Sequence, residues 1–213
     1  VMALSAFDVD CSFHLEKIKS TFKLLDNGLL ELDESYYKGA IFDQPHLYTE
    51  KLVKFLGGRV GIKGEEPDDW HYSIAKAMQI VFEEIAIHML LNLYEKTKLK
   101  NVVLGGGSFM NSVFNGKVIE NTPFENVYIS HSPSDVGNSI GAALYVAHNL
   151  KNEDRNTTFN SSYLGPSFSD EEIQKTLERR KIIYEKVEDI PKTVADILSR
   201  GEIIARFNGR MEF

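Results

Sequence analysis

The hydrophobic and polar positions of residues 68–98 have the period of an α-helix. The apolar positions recur at steps of three and four residues: Ile74, Met78, Val81, Phe82, Ile85, Met89 and Leu93. Such spacing puts apolar side chains on one broad face of a helix, and Asp68 or Asp69, directly after Pro67, can cap its first turn. The pattern predicts a long core helix. Gln79 falls beside the apolar stripe, where a surface glutamine is the simpler interpretation.

Two short apolar runs farther along the chain are each followed by turn residues and a helical pattern. Residues 102–104 are Val-Val-Leu and precede three glycines, after which residues 108–116 carry apolar positions at helical spacing. Residues 126–131 form the second run, and residues 132–149 begin with Ser-Pro-Ser-Asp, which suits a helix start. Two consecutive strand–turn–helix units predict a parallel sheet, so we expect an α/β fold.

The N-terminal and C-terminal parts show weaker patterns. Residues 12–25 have loose helical spacing, and Asp26-Asn27-Gly28 predicts a turn before a short strand. After Lys151 the composition turns polar, as in a linker between domains, and we place the domain boundary at residues 158/159. The first domain is then 1–158, and the second is 159–213.

The second predicted domain contains two helices and two strands. Ser169 and Glu172 form a capping box for a helix that ends at Lys181, and a helix over 191–200 is closed by Gly201. Strands are predicted over 182–187 and 202–207. About 50 residues are few for an independent core, so we expect a truncated domain.

Composition and charge exclude several classes of protein. The chain has 213 residues, 43% hydrophobic content and a net charge of −7, with no block of like charges. General nucleic-acid binding and an anionic-membrane surface are therefore not expected. Cys11 is the one cysteine, which rules out an intrachain disulfide and fits a reducing compartment. No apolar run reaches the roughly 20 residues that span a bilayer, and we expect a cytoplasmic protein.

The glycines Gly105, Gly106 and Gly107 predict a turn that a ligand can approach closely. The N-terminus of the helical pattern that opens at Ser108 would present free N–H groups to a phosphate. The alternative is a turn whose glycines only allow positive φ and close packing. Asp135 is expected at the same sheet edge, either as a ligand of a divalent cation or as the N-cap of its own helix.

These segments resemble the O-carbamoyltransferases of the NodU and TobZ type. LGGGSFMNSVFNGK at 104–117 and PFENVYISHSPSDVGNSIGAAL at 123–144 are similar to the glycine-rich and Asp-Gly segments of that family. VMALSAF at 1–7 is similar to its VMGLA segment, and residues 71–83 resemble the helix with an Ala-x-x-x-Gln motif, which ends here at Gln79. IARFNGRMEF at 204–213 looks like the start of the signature GRxEFGPRALG.

The resemblance implies a two-domain enzyme. The first domain would have an actin-like (ASKHA, ribonuclease H-like) fold, and the second would be the truncated start of a YrdC-like domain. Carbamoyl phosphate and ATP would give carbamoyl-adenylate in the second domain. The carbamoyl group would then pass, in the first domain, to a hydroxyl of a sugar or a related small molecule.

Residue roles follow from the matched motifs. Gly105, Gly106, Gly107 and Asn111, with Ser108, would line the nucleotide site of the first domain. Asp135 would hold a divalent metal, iron or magnesium, whose other ligands lie in an HxxxH segment expected ahead of Val1. Arg210 and Glu212 would belong to the site of the second domain. The catalytic residues and the oligomeric state stay open, and we expect this chain alone to be inactive.

Two other functions fit part of the pattern. A glycine-rich turn followed by an Asp-Gly helix also suits another ASKHA enzyme, such as a sugar kinase or a tRNA threonylcarbamoyl-type transferase. A non-catalytic nucleotide-binding module would describe the chain in isolation. The GRMEF segment at 209–213 favours the carbamoyltransferase over both.

Overall fold

A computed structural model of the protein describes residues 1–38, 47–61, 64–155 and 161–212. The chain divides into two compact units, Val1–Ala147 and His148–Phe213. The predicted domain boundary at residues 158/159 lies outside the described residues and stays a prediction. Among the described residues, no helix combines the length and the apolar character that crossing a bilayer requires.

The long helix α3, Asp69–Thr97, is the central element of the first unit. Asp68 caps it by accepting a hydrogen bond from the backbone N–H of His71, and the His71 side chain returns to the backbone of Asp68 in a capping box. At the other end Lys98 has a left-handed backbone with φ of +55°. The predicted helix over 68–98 is confirmed.

The buried face of α3 differs from the predicted stripe. Ala77, Val81 and Leu90 are buried, whereas Met89 and Leu93 are nearly half exposed. Ser73, Ala75 and Ala86 are also buried, and α1 and the N-terminal turn pack against the helix. The sequence pattern identified the helix but not all of the residues that it buries.

Short elements precede α3 in the chain. They are a 3₁₀ turn at Leu4–Ala6, α1 at Ser12–Lys19, the antiparallel strands β1 at Phe22–Leu24 and β2 at Leu30–Leu32, and α2 at Glu50–Phe55. Three side chains of α3 at four-residue steps bond to consecutive carbonyls of the β1–β2 turn: His88 to Leu25, Asn92 to Asp26, and Lys96 to Asn27. The predicted turn and the short strand predicted after it, β2, are confirmed. The helix predicted over 12–25 ends at Lys19, and β1 follows it.

The parallel strands β3, Asn101–Leu104, and β4, Asn126–Ile129, confirm the two predicted strand units. Their register pairs Val102 with Val127 and Leu104 with Ile129. Between them lie a 3₁₀ turn at Gly107–Met110, α4 at Ser112–Asn115 and α5 at Val118–Asn121. The helix predicted to open at Ser108 is therefore wrong as one element, since the extended backbone of Asn111 separates the 3₁₀ turn from α4. One buried core joins α3 to these elements: Ala86, Leu90, Val102, Leu104, Phe114, Val118 and Phe124. The chain continues from β4 into α6 at Gly137–Tyr145 and a π-helical turn at Val146–Leu150.

The second unit contains the helices α7, Asp170–Arg179, and α8, Ile190–Ser199. The Ser169 capping box is present, and Gly201 follows α8 with φ of +76°. The predicted strands over 182–187 and 202–207 are wrong, since both segments are described without strand pairing. Ile183 is 100% exposed. A lone segment has no neighbour to take its backbone hydrogen bonds and does not form a strand.

The structure confirms a mixed α/β protein with small sheets, each of two strands among the described residues. The actin-like and YrdC-like assignments need larger sheets and stay predictions.

Candidate functional site

The three glycines predicted to bind a nucleotide form an open turn at the carboxyl end of β3. Gly106 has φ of +115° and ψ of 158°, a backbone conformation that is essentially restricted to glycine. An added Cβ at Gly105, Gly106 or Gly107 would meet no heavy atom of the described residues within 4 Å. Ser108 is also exposed, in the 3₁₀ turn that follows. A ligand can therefore reach the backbone of this glycine turn directly.

The glycine turn is joined to the loop that follows β4. The N–H of Gly106 donates to the carbonyl of Pro133 at 2.6 Å. The two loops meet because parallel strands end at the same edge of their sheet. A Cβ on Gly137 would collide with the carbonyl oxygen of Ser132, so glycine is required for this loop to fold tightly. The structure thus brings together the two loops that the sequence predicted to share an edge.

Asp135 lies in this second loop, with an exposed side chain. The N-cap of α6 is Val136, and the backbone carbonyl of Asp135 accepts from the N–H of Asn138 at 3.1 Å. The alternative in which Asp135 caps the helix is therefore wrong. Among the described residues, no three or more His, Cys, Asp or Glu side chains cluster closely enough to hold a metal ion. Asp135 therefore has no complete set of such ligands around it within this part of the chain.

Asn111 lies at the far end of the 3₁₀ turn, where its side chain caps α4. Its Oδ1 accepts from the backbone N–H of Phe114 at 3.1 Å and from Nε2 of Gln79 at 3.2 Å. Its Nδ2 donates to Oε1 of Gln79 at 2.8 Å. The side chain of Asn111 is thus engaged within the protein, and it acts on the glycine turn by holding the following segment in place.

Gln79 is buried, with 5% of its surface exposed, so the interpretation as a surface glutamine is wrong. It donates to Glu83 at 2.8 Å, and both Glu83 oxygens accept from Nζ of Lys117, at 2.7 and 2.9 Å. Four polar side chains therefore connect α3 to the segment after the glycine turn. Glu83 and Lys117 were not among the predicted site residues. Glu83 follows Gln79 by four residues, one helical turn, which was the available signal.

An apolar cavity of about 500 Å³ adjoins the glycine turn. Its wall includes Ser108 and Phe109 from the turn. Phe82, Met89 and Leu93 of α3 form another part of the wall. Cavities of this size and apolar character are typical of small-molecule sites. The same turn therefore offers open backbone on the glycines and an apolar surface beside them.

Arg210 and Glu212 belong to the second unit. Nη2 of Arg210 donates to the carbonyl of Leu164 at 3.1 Å, and Glu212 accepts from the Ser162 hydroxyl at 3.2 Å. Backbone hydrogen bonds also tie Met211 to residues 165 and 166. These contacts order the segment.

A buried histidine lies in the first unit, away from the predicted site residues. His14 is 4% exposed, and its two ring nitrogens lie 2.7 Å from the Ser73 hydroxyl and 3.2 Å from the Leu56 carbonyl. Burial lowers the pKa of His14. A carbonyl only accepts hydrogen bonds, so Nε2 carries the proton and Nδ1 accepts from Ser73 in the neutral ring. These bonds connect α1 to α3 and to the end of α2, and they serve the fold.

Comparison with known proteins identifies similarity over much of the chain. The family model described as "Carbamoyltransferase N-terminus" matches residues 39–144, which include the glycine turn and Asp135. An uncharacterized protein of Synechocystis sp. is 36% identical over 148 residues, covering 66% of this chain and 24% of that protein. An uncharacterized protein of Methanocaldococcus jannaschii is 34% identical over 148 residues, with the same coverage of 66% and 24%.

A further relative aligns with the whole chain. Nodulation protein NolNO of Sinorhizobium fredii is 25% identical over 218 residues, covering 100% of this chain and 30% of that protein. The chain thus spans about a quarter to a third of the length of the curated relatives that it matches.

Proposed function

This chain belongs to the carbamoyltransferase family, and we propose that it is part of an enzyme that transfers a carbamoyl group to a hydroxyl of a small molecule. The observation that supports this role is the glycine turn. It exposes backbone without side chains, adjoins an apolar cavity and is hydrogen-bonded to the loop that follows the neighbouring parallel strand. Ligands of open α/β sheets collect at such an edge.

The proposed donor reaction uses carbamoyl phosphate and ATP. Carbamoyl phosphate, ATP and one water give carbamoyl-adenylate, phosphate and pyrophosphate. The acceptor oxygen then forms a bond to the carbamoyl carbon as the bond from that carbon to the AMP oxygen breaks. The products are AMP, the carbamate ester and the proton of the acceptor hydroxyl.

The nucleotide would lie along Gly105, Gly106, Gly107 and Ser108. Backbone N–H groups suit phosphate oxygens because they donate without a bulky or charged side chain. The N–H of Gly106 already donates to Pro133, so this role falls to the other N–H groups of the turn. The adjoining apolar cavity has room for a flat base. Asn111 would act through the position of the turn. Arg210 and Glu212 would act in the adenylate-forming domain.

Asp135 is the proposed metal ligand of the chain. Because the described residues hold no ligand cluster, we assign no step of the reaction to the metal. In the natural full-length protein, Asp135→Ala should lower the metal content measured by elemental analysis, and Asp154→Ala, which changes another exposed aspartate, should not. Equal metal content in the two variants would remove Asp135 from the ligand set.

The test is pyrophosphate release by the natural full-length protein, with ATP and carbamoyl phosphate supplied together and each omitted in turn. Release that needs both substrates supports carbamoyl-adenylate formation. A kinase would instead form ADP from ATP and a sugar without carbamoyl phosphate, which would contradict the proposal. A folded protein that binds ATP and forms neither product would point to a nucleotide-binding module.

The proposed acceptor is a small molecule with a hydroxyl group. A small hydroxylated molecule, such as a sugar, fits the chemistry of carbamate ester formation. Incubation with labelled carbamoyl phosphate, ATP and a panel of sugars should transfer label only to compounds with a free hydroxyl. If the label appeared only in carbamate and its breakdown products, water would be the acceptor, and the proposed class of acceptor would be wrong.

A further inference from the structure

We propose that Gln79 is a positioning residue for the glycine turn. Gln79 positions the turn through a hydrogen-bonded chain of four side chains, which we call the amide relay: Lys117, Glu83, Gln79 and Asn111. The relay fixes the orientation of the Asn111 amide and thereby the segment that follows the glycines. The proposal rests on the nucleotide-binding role proposed above for that turn.

The hydrogen bonds of the relay can run in only one direction, because the group at one end can only accept and the group at the other end can only donate. At one end, Glu83 is a carboxylate that can only accept, and it takes hydrogen bonds from Lys117 and from the Gln79 amino group. At the other end, the backbone N–H of Phe114 can only donate, and it donates to Oδ1 of Asn111. The two amides between these ends can therefore be satisfied in one arrangement only.

Gln79 uses its whole side-chain amide in this arrangement. Its Nε2 donates to Glu83 and to Asn111, and its Oε1 accepts from Asn111. The side chain is 5% exposed, so water cannot readily replace a lost partner. A buried polar group left without a partner is unfavourable. Neither a carboxylate nor an aliphatic side chain at position 79 can satisfy both neighbours.

The relay reaches the glycine turn through the short segment between Gly107 and Asn111. The N–H of Asn111 donates to the Ser108 carbonyl at 3.3 Å, and the Asn115 amide donates to the Phe109 carbonyl at 2.8 Å. These bonds make one hydrogen-bonded unit of the 3₁₀ turn and the start of α4. Because α3 holds Asn111, the long helix sets where the open backbone of the glycines points before a ligand arrives.

The test substitutes Gln79 and a matched glutamine elsewhere in the full chain. Gln79→Glu places a carboxylate against Glu83 and removes both hydrogen bonds that Gln79 donates. Gln174→Glu makes the same change in an exposed pair, where Gln174 Nε2 also donates to a glutamate four residues on, Glu178, at 2.9 Å. The measured quantity is the dissociation constant of a fluorescent ATP analogue, with the thermal midpoint recorded for every variant.

We expect Gln79→Glu to weaken binding of the analogue by about tenfold to a hundredfold, because apparent affinity falls with the fraction of molecules whose turn is correctly placed, and Gln174→Glu to leave it unchanged. The double variant Gln79→Glu, Glu83→Gln restores a donor opposite position 79 and should recover part of the loss. The proposal is overturned if Gln79→Glu binds like the wild type, if Gln174→Glu weakens binding equally, or if the double variant is no better than the single one.

A second measurement separates this proposal from the proposed function. If the wild-type chain does not bind the analogue, the nucleotide role of the turn is wrong. The relay is then judged by amide hydrogen exchange at Gly106 and Phe114. Faster exchange in Gln79→Glu, with recovery in the double variant, supports the positioning of the turn by Gln79. Exchange in Gln79→Glu equal to that of the wild type at both amides overturns it.

Discussion

Gly106→Ala and Gly107→Ala add the same methyl group to neighbouring residues of the glycine turn, with opposite expected effects. Neither methyl would meet a heavy atom of the described residues within 4 Å, so steric collision does not distinguish them. The backbone does. Gly106 has φ of +115°, whereas Gly107 begins a 3₁₀ turn at an ordinary negative-φ position.

The expected magnitudes follow from this difference. A non-glycine residue held in the conformation of Gly106 costs about 1–3 kcal/mol. At a compatible position, replacement of glycine by alanine stabilises by about 0.4–1 kcal/mol, because the unfolded chain has fewer conformations to lose. Gly106→Ala should therefore lower the free energy of unfolding, and Gly107→Ala should leave it equal or raise it slightly. The hydrogen bond from Gly106 to Pro133 should also weaken in the first variant.

Urea unfolding followed by tryptophan fluorescence measures both variants. Trp70 is the one tryptophan of the chain and lies in α3, in the same unit as the turn. Free energies of unfolding that agree within about 0.5 kcal/mol, the ordinary effect of a surface substitution, would refute the assignment of strain to Gly106. Gly106→Val should additionally weaken nucleotide binding without unfolding the protein, since its branched side chain fills the open face of the turn.

Three further predictions address the scaffold. Burial lowers the pKa of His14, so as the pH falls the unfolded chain binds a proton at His14 before the folded chain does. Stability should then fall as pH drops below about 6.5, with a shallower slope of urea midpoint against pH in His14→Gln. Phe114→Ala should destabilise by about 3–5 kcal/mol in chemical unfolding, because Phe114 is fully buried. Its neighbour Val113 is 41% exposed, and Val113→Ala should have a much smaller effect. Gly165→Ala should release the 209–212 segment to faster hydrogen exchange, since its Cβ would lie 2.8 Å from the Met211 carbonyl oxygen; unchanged exchange there would contradict this.

Local signals were sufficient for most helices and for the central strands. The period of the apolar residues and the capping residues of α3, α7 and α8 act within a few positions of the chain, and these helices appear where they were predicted. The order of strand, glycine turn and helix likewise placed β3 and β4 and brought their following loops to one edge. These features depend on short-range hydrogen bonds and on side-chain spacing, which a sequence records directly.

The two failed strands had the same kind of local signal. Residues 182–187 and 202–207 carry apolar and extended patterns, yet a strand forms only when a neighbour takes its hydrogen bonds. That partner is a property of the tertiary structure. The apolar stripe of α3 failed in part for a related reason, since the elements packed around the helix decide which of its faces are buried.

The sequence by itself determined the helices α3, α7 and α8, the glycine turn and the residue types of the family motifs. Only the tertiary structure decided the burial and hydrogen-bond partners of Gln79 and Asn111 and the exposure of Asp135. Gln79 became buried because the segment after the glycine turn packs on α3, and its amide then had to pair with Asn111 and Glu83. Asp135 stayed exposed because α6 begins after it, at Gly137. Burial and hydrogen-bond partners depend on residues far apart in the chain, and no local pattern records them.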